Sequence, residues 1–459
     1  MDRWVEREVA GCHHLRDARL KKRLGEVLSR LAEQPTQSIP AACQGWAETQ
    51  AVYRFLDNEH VSPEDIFEGH GRATLERIAA EPVVLVVQDT TFLEYLKDRL
   101  PKGVGTLREQ RRTEFLLHPS VAFTPKRVNL GVLAATFWQR PDEPVAPRRA
   151  QLAIEQKESY RWLQGYEWSC EVAKRCPGTL VVSVADREGD IQECFLAAAA
   201  TEGEKAHFLV RAKENRRLAG EVPAYLWPTL SQAPVRLCYT LSLPARAGRA
   251  ARTARVEVRV ESVCLSGSRR QGGRLPPVEV AAVYVKEVDP PAQDALEWML
   301  LTSLPVETPE LARDVVDWYC ARWEIELYFR ILKQGCRVED LRLASGERLE
   351  RGLAVYQIIA WRVHHLTQSA RAHPRRPCSD VLAPEEWRTL YALQTHKPAP
   401  QEPPPLRQAV RLLAQLGGFL ARKADGEPGV ETTWRGYMRL LQSIRALQIH
   451  AEIQAQRCV

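Results

Sequence analysis

Val83-Val84-Leu85-Val86-Val87-Gln88-Asp89 is a five-residue apolar run closed two positions later by a carboxylate. Five apolar residues without polar alternation read as a strand covered on both faces, the kind that forms the centre of an α/β sheet. The same arrangement recurs at Leu180-Val181-Val182-Ser183-Val184-Ala185-Asp186. A carboxylate at a buried strand end is costly unless a cation meets it, and in a mainly parallel sheet the strand-to-loop edge is where active groups sit. Either aspartate alone is weak evidence.

Working outward, further strands are read at 120–123, 130–137, 206–212 and 297–301, with helices near 150–175 and over 190–200, the latter with Asp190 placed to cap its start. From about 214 to 290 the texture shifts to alternating, arginine-rich strands and looks inserted. Between Pro244 and Arg274 eight arginines face two glutamates, with Arg255, Glu257, Arg259 and Glu261 alternating against Val256, Val258 and Val260. Such a block fits nucleic-acid contact; a solubilising edge also accounts for it.

Residues 1 to about 75 read as helical, with amphipathic stretches over His14–Ala32 and Trp46–Leu56 and basic side chains at Arg16, Arg19, Lys21, Lys22, Arg23 and Arg54. The C-terminal region is helical again, interrupted by proline-rich linkers at 374–377 and 398–405. It closes with an amphipathic helix through Trp434, Tyr437, Leu440, Leu441, Ile444 and Leu447.

The capping-type sequence Thr308-Pro309-Glu310-Leu311 opens what reads as one long helix to Gln334. On it Tyr319, Arg322, Glu326 and Lys333 stand at offsets of 3, 7 and 14 residues. About 100° per residue gathers them within roughly 60° of arc. Beside them Leu311, Trp318, Ile325, Phe329 and Leu332 form an apolar stripe for seating the helix. Taken alone, the polar stripe is accounted for by a row of ion pairs. Taken with Asp89 and Asp186, Glu326 completes a set of three carboxylates suited to a hard, oxygen-seeking ion such as Mg2+. Two such ions about 4 Å apart activate a water or 3'-hydroxyl for in-line displacement at phosphorus. Arg322 and Lys333 then suit neighbouring phosphates, as a fork and a point charge, and Tyr319 adds a hydroxyl.

Length and composition agree with a globular chain of two to three domains: 459 residues, 45% hydrophobic, 27% charged and a formal charge of +6. No apolar run approaches the roughly 20 residues of a membrane helix. The N-terminus lacks a secretory core, so a cytoplasmic, nucleoid-associated protein is expected. Eleven scattered cysteines without a Cys-x-x-Cys pair argue against a disulfide framework or a structural zinc site.

Gln88-Asp-Thr-Thr91, Asp186-Arg-Glu-Gly-Asp190 and Tyr-x-x-Arg-x-x-x-Glu-x-x-x-x-x-x-Lys from Tyr319 to Lys333 resemble the three signature blocks of the insertion-sequence-four family of DDE transposases. The similarity runs from Ala51-Val-Tyr-Arg-Phe55 through Leu296–Ser303 to Leu416-Gly-Gly-Phe419 and Trp434-Arg-Gly-Tyr437. It implies an RNase H-like catalytic core over 76–344, carrying a β-rich insertion at about 214–290. It also implies a helical domain over 1–75 that binds the transposon end and a helical dimerisation domain over 345–459. By the same resemblance Asp89, Asp186 and Glu326 are catalytic and ligate two Mg2+ ions, with Mn2+ able to substitute. Tyr319, Arg322, Lys333, Arg211 and Lys213 contact DNA, and Arg16, Arg19, Arg23 and Arg54 are the candidates for end binding. Trp298 stacks a base extruded during a hairpin intermediate. A core position accounts for Trp298 as well, and strand alternation accounts for Arg211 and Lys213 as solvent-facing. The implied partners are double-stranded DNA with terminal inverted repeats, target DNA, and a second copy of the chain, with no membrane. Two other readings stay open: a related nuclease that only hydrolyses DNA, and a catalytically silent DNA-binding relative.

Overall fold

The computed structural model describes residues 3–43, 45–96, 112–139, 152–200, 202–243, 251–270, 273–291 and 294–457. In chain order the elements begin with helices α1 (Arg3–Ala10), α2 (Ala18–Glu33), α3 (Trp46–Leu56) and α4 (Pro63–Ala79). Strands β1 (Val83–Gln88), β2 (Thr91–Leu96), β3 (Arg112–Phe123) and β4 (Asn129–Trp138) follow. Next come α5 (Tyr160–Arg175), β5 (Leu180–Ala185), α6 (Gln192–Ala200) and β6 (His207–Arg211), then β7 (Val235–Leu243), β8 (Arg252–Leu265), β9 (Val278–Glu287) and β10 (Glu297–Thr302). The last helices are α7 (Pro309–Ala321), α8 (Glu324–Arg330), α9 (Gly346–Ala372), α10 (Pro384–Thr395), α11 (Leu406–Leu416) and α12 (Val430–Arg457). These elements form two compact units, one of residues 78–89 and 143–323, the other of 1–77, 90–142 and 324–459.

In the first unit β1, β5 and β6 pair in parallel, and β10, β9, β8 and β7 continue the sheet in antiparallel order. The sheet is thus mixed rather than mainly parallel, because an apolar run reports burial and is silent about strand direction. Val84 to Val87 and Val181 to Val184 are buried, as their unbroken apolar character requires. Helix α5 lies flush on this centre: a Cβ at Gly165 would stand 2.1 Å from Gln88 Oε1, and Gln88 Nε2 donates to Ser183 Oγ at 2.8 Å. Along β8 the valines at 256, 258 and 260 are buried while Arg255 is exposed. Several arginines of that block serve the fold: Arg252 pairs with Glu287, Arg259 with Glu257 and Arg270 with Glu193. Arg246 and Arg249 lie outside the described residues.

The second unit joins the N-terminal helices to α9–α12 and to the antiparallel strands β2, β3 and β4. Asp17 caps α2 by accepting from Arg19 N at 2.8 Å, so the helix begins four residues later than His14 and Arg16 precedes it. Helix α9 is buried along most of its 27 residues. Leu447 of α12, read as part of its apolar face, is 55% exposed. Around Trp361 a buried polar network ties α1 down. Val132 N donates to His70 Nε2 at 2.9 Å, which makes His70 neutral with its Nδ1 proton on Glu8. The charge that opposes Glu8 is therefore that of Arg77, whose Nη1 donates to Glu8 Oε1 at 2.8 Å and whose guanidinium lies 4.4 Å from the Trp361 ring centroid. Among the described residues the cysteines are free, most of them buried, and no helix is long and apolar enough to cross a membrane.

The single helix read over 308–334 is divided. Thr308 does cap its start, but α7 ends at Ala321, where Arg322 N and Trp323 N donate to Tyr319 O and Cys320 O at 3.2 and 3.3 Å, bonds of the tighter i to i−3 kind. Helix α8 starts at Glu324 and passes into a π-turn over Ile331–Gly335. The charged side chains flanking the break are each tied within their own unit. Arg322 is held by Asp89, and Glu324 accepts from Gln368 Nε2 at 2.6 Å and His364 Nε2 at 3.2 Å. Helical periodicity therefore does not carry the stripe from Tyr319 through to Lys333.

Burial raises the Glu8 carboxyl, but the charge and hydrogen bonds of Arg77, together with the hydrogen bond from His70, outweigh this and hold it below the ordinary 4.5. Its stabilising contribution is complete above pH 4.5 and fades as the pH falls below it through the lowered folded-state value. Glu8→Gln is expected to destabilise the fold by roughly 3–5 kcal/mol at neutral pH, the cost of stranding a buried charge. In denaturant titrations the gap to wild type should close as the pH is lowered through that window; a constant gap would remove Arg77–Glu8 as its source.

Candidate active site

The last register pair between β1 and β5 is Val87 with Val184, and Asp89 and Asp186 each stand two residues beyond it. The two carboxylates therefore leave matching positions on adjacent parallel strands, whose spacing is about 4.8 Å. Asp186 is half-exposed and caps a short 3₁₀ turn over Arg187–Gly189, its Oδ1 accepting from Glu188 N at 2.8 Å. Gly189 is required for this turn to close: a Cβ there would lie 2.5 Å from that of Ala185. Asp89 Oδ2 accepts from Arg322 Nη1 at 2.8 Å, with side-chain exposures of 18% and 7%.

Arg322 lies 5.9 Å from the Tyr319 ring and 5.2 Å from that of Trp323. Burial pushes the Tyr319 hydroxyl up, Arg322 and Arg211 pull it down, and Asp186 adds to the rise. The net direction is upward, so Tyr319 is a protonated phenol at neutral pH. Trp298 packs edge-on to Tyr319 at 5.4 Å and is only half-buried, so it is not a closed core residue. Arg211 ends β6, half-buried, with Nη2 donating to Glu297 O at 3.2 Å. Lys213, two residues on, is exposed. This one unit thus brings Asp89, Asp186, Tyr319, Arg322, Arg211 and Trp298 into a single neighbourhood.

Glu326 and Lys333 belong to the other unit. Glu326 is half-exposed on α8. Lys333 sits on the π-turn, its Nζ donating to Phe92 O and lying 3.7 Å from Glu339 Oε1. Of the N-terminal candidates, Arg16, Arg19 and Arg54 are exposed, while Arg23 is half-buried and pairs with Glu26 at 2.6 Å. Arg19 contacts Asp17 at 3.3 Å.

Asp190 does not cap α6. Its carboxylate turns instead to the segment after β6, accepting from the backbone of Lys213 and from Arg216. The pattern available to reveal this was the second aspartate of Asp186-Arg-Glu-Gly-Asp190, together with an arginine three positions after Lys213.

Among the described residues no group of three or more His, Cys, Asp or Glu side chains is gathered as around a metal. Magnesium does not need such a cage: one or two carboxylates suffice when water and substrate phosphate complete the shell. Two aspartates at matching positions, both partly exposed, are donors of that kind, and Asp89 is also the acceptor for Arg322.

Three family models match the chain. Residues 1–61 match the model described as transposase DNA-binding, residues 197–361 the transposase DDE domain, and residues 358–451 the transposase Tn5 dimerisation domain. The first contains Arg16, Arg19, Arg23 and Arg54. The second contains Arg211, Lys213, Trp298, Tyr319, Arg322, Glu326 and Lys333 and begins after both aspartates.

A metal ion held by Asp89 would have to compete with the Arg322 guanidinium that already contacts this carboxylate. Arg322→Ala is expected to tighten Mn2+ binding to the DNA-free protein by about tenfold, the weight of one charge interaction of about 1.4 kcal/mol. Calorimetric titration reads this directly, and unchanged or weaker binding would contradict the competition.

Proposed function

We propose that this chain, whose residues match models of transposase DNA-binding, transposase DDE and transposase Tn5 dimerisation domains, is a cut-and-paste DNA transposase of the insertion-sequence-four kind. It binds transposon ends, cleaves them by two-metal phosphoryl transfer through a hairpin intermediate, and joins the 3' ends to target DNA. The observation that carries the reading is the pair Asp89 and Asp186, each two residues past the last register pair of neighbouring parallel strands, with Arg322 on Asp89 and Tyr319, itself flanked by Arg322 and Arg211, near Asp186. Oxygen donors at a strand edge, beside cations and a phenol donor, are what phosphodiester chemistry uses.

In this proposal residues 76–344 are an RNase H-like core with an insertion at about 214–290, residues 1–75 bind the end, and residues 345–459 pair two copies of the chain on two ends. Asp89, Asp186 and Glu326 hold two Mg2+ ions, and Mn2+ substitutes. When bound, these ions supply Lewis acidity at the scissile phosphate and at the attacking and leaving oxygens. The remaining work belongs to side chains. Arg322, drawn from Asp89 by a phosphate, binds that phosphate as a fork; Lys333 binds a neighbour as a point charge. Tyr319, kept protonated, donates to a phosphate oxygen. Trp298, half-buried, is the ring against which an extruded base stacks, at a cost in unstacking that a nicked end makes smaller. Arg211 and Lys213 follow the backbone, and Arg16, Arg19, Arg23 and Arg54 bind the end, with the protein working at the nucleoid in the cytoplasm.

Asp89→Ala, Asp186→Ala and Glu326→Ala should each abolish cleavage while leaving end binding detectable, because ligation and end recognition are assigned to different domains. Retained cleavage in any one removes that residue from the metal site. Supplied with pre-cut ends and Mg2+, the protein should yield joined products. Nicking without joining would overturn transposition in favour of a nuclease with the same core.

A further inference from the structure

We propose that Asp190 is a positioning residue that fixes Lys213 for a DNA phosphate and couples it to the turn carrying Asp186. The inference rests on the reading of Lys213 as a DNA contact. Although Asp190 is only four residues from the half-exposed Asp186, its own side chain is fully buried. Oδ1 accepts from Arg216 Nε at 2.9 Å and Nη2 at 2.6 Å, and Oδ2 accepts from Lys213 N at 2.8 Å and Glu214 N at 3.4 Å. Arg216 Nη2 also donates to the Asp190 carbonyl at 2.8 Å, and its guanidinium lies 5.5 Å from the Phe195 ring. Four N–H groups on two oxygens require a carboxylate, since an amide side chain has one acceptor oxygen.

The bridge joins two segments 23 residues apart in sequence. On one side Asp190 N donates to Arg187 O at 3.3 Å, closing the turn that Asp186 caps. On the other, Ala212 N donates to Met299 O at 2.8 Å, and beyond it the chain leaves the sheet, with the next N–H, that of Lys213, turned to Asp190. A lysine ammonium rides on a flexible four-carbon stem, so what preorganises it toward a phosphate is its backbone anchor. Here that anchor is the segment bearing a proposed metal ligand, and the phosphate-binding and metal-binding groups move as one piece.

The test measures binding of the full-length protein to a duplex of the terminal inverted repeat, read from the DNA flanking its coding region, between about 50 and 200 mM salt. Each phosphate contact contributes about 0.9 to the slope of log K against log[salt]. Lys213→Ala should flatten the slope by about 0.9. Asp190→Asn, nearly isosteric, should flatten it by a comparable amount, and the double variant should be no flatter than Lys213→Ala alone. A purely structural role would lower folding stability and leave the slope unchanged. If Asp190→Asn does not fold, Arg216→Lys, which keeps the charge and loses the fork, takes its place with the same expectation. A wild-type slope in the Asp190 or Arg216 variant beside a flattened Lys213→Ala, or additive effects in the double variant, overturns the coupling. An unchanged slope in Lys213→Ala overturns the DNA role of Lys213 and the coupling with it, while cleavage by the same protein reports separately on the transposase reading.

Discussion

The in-register parallel pairing of β1 with β5 is the constraint on which the candidate site depends. It stops at Val87 and Val184, and the chain then delivers one aspartate from each strand to the same edge. Nothing about either loop needs to be unusual for this to happen. The register does it, held by buried valines, by Gln88 donating to Ser183 beneath the edge, and by Gly165, which lets α5 lie against Gln88. A slip of one residue would turn one aspartate to the opposite face.

Charge neutrality follows from that placement. Two carboxylates leaving one sheet edge repel unless cations lie near; Arg322 holds Asp89, and Tyr319, a neutral phenol flanked by Arg322 and Arg211, lies near Asp186. In the structure the cation at Asp89 is Arg322. Under the proposed function this makes phosphate and metal binding mutually reinforcing, since a phosphate that draws Arg322 away also releases the carboxylate. The Asp190–Arg216 pair stands behind the same edge as a support, buried where Asp186 is open.

Much of this was legible in the residue pattern, and the gaps have physical causes. Strands that are apolar throughout, such as β1 and β5, and helices with strong local signals, such as α3 and the Thr308-capped start of α7, carry their information within a few residues. The break after Ala321 does not. It forms where Arg322 and Glu324, two residues apart, answer to partners distant in sequence, Asp89 on one side and His364 and Gln368 on the other. Local periodicity has no access to such partners. Asp190 escapes the residue pattern for the same reason: an aspartate just ahead of a helix is an ordinary cap, and only the fold shows its carboxylate turned toward Lys213 and Arg216. The antiparallel placement of β10 beside β6 was hidden because buried apolar strands look alike in either direction.

Under the proposed function the edge carrying Asp89 and Asp186 binds a divalent ion. Fe2+ in place of Mg2+, with peroxide and ascorbate, generates hydroxyl radicals that cut the polypeptide beside the bound ion. The account predicts scission of the DNA-bound protein close to residues 89 and 186, suppressed by excess Mg2+. Cuts confined to other segments, or cuts that Mg2+ does not suppress, would contradict it.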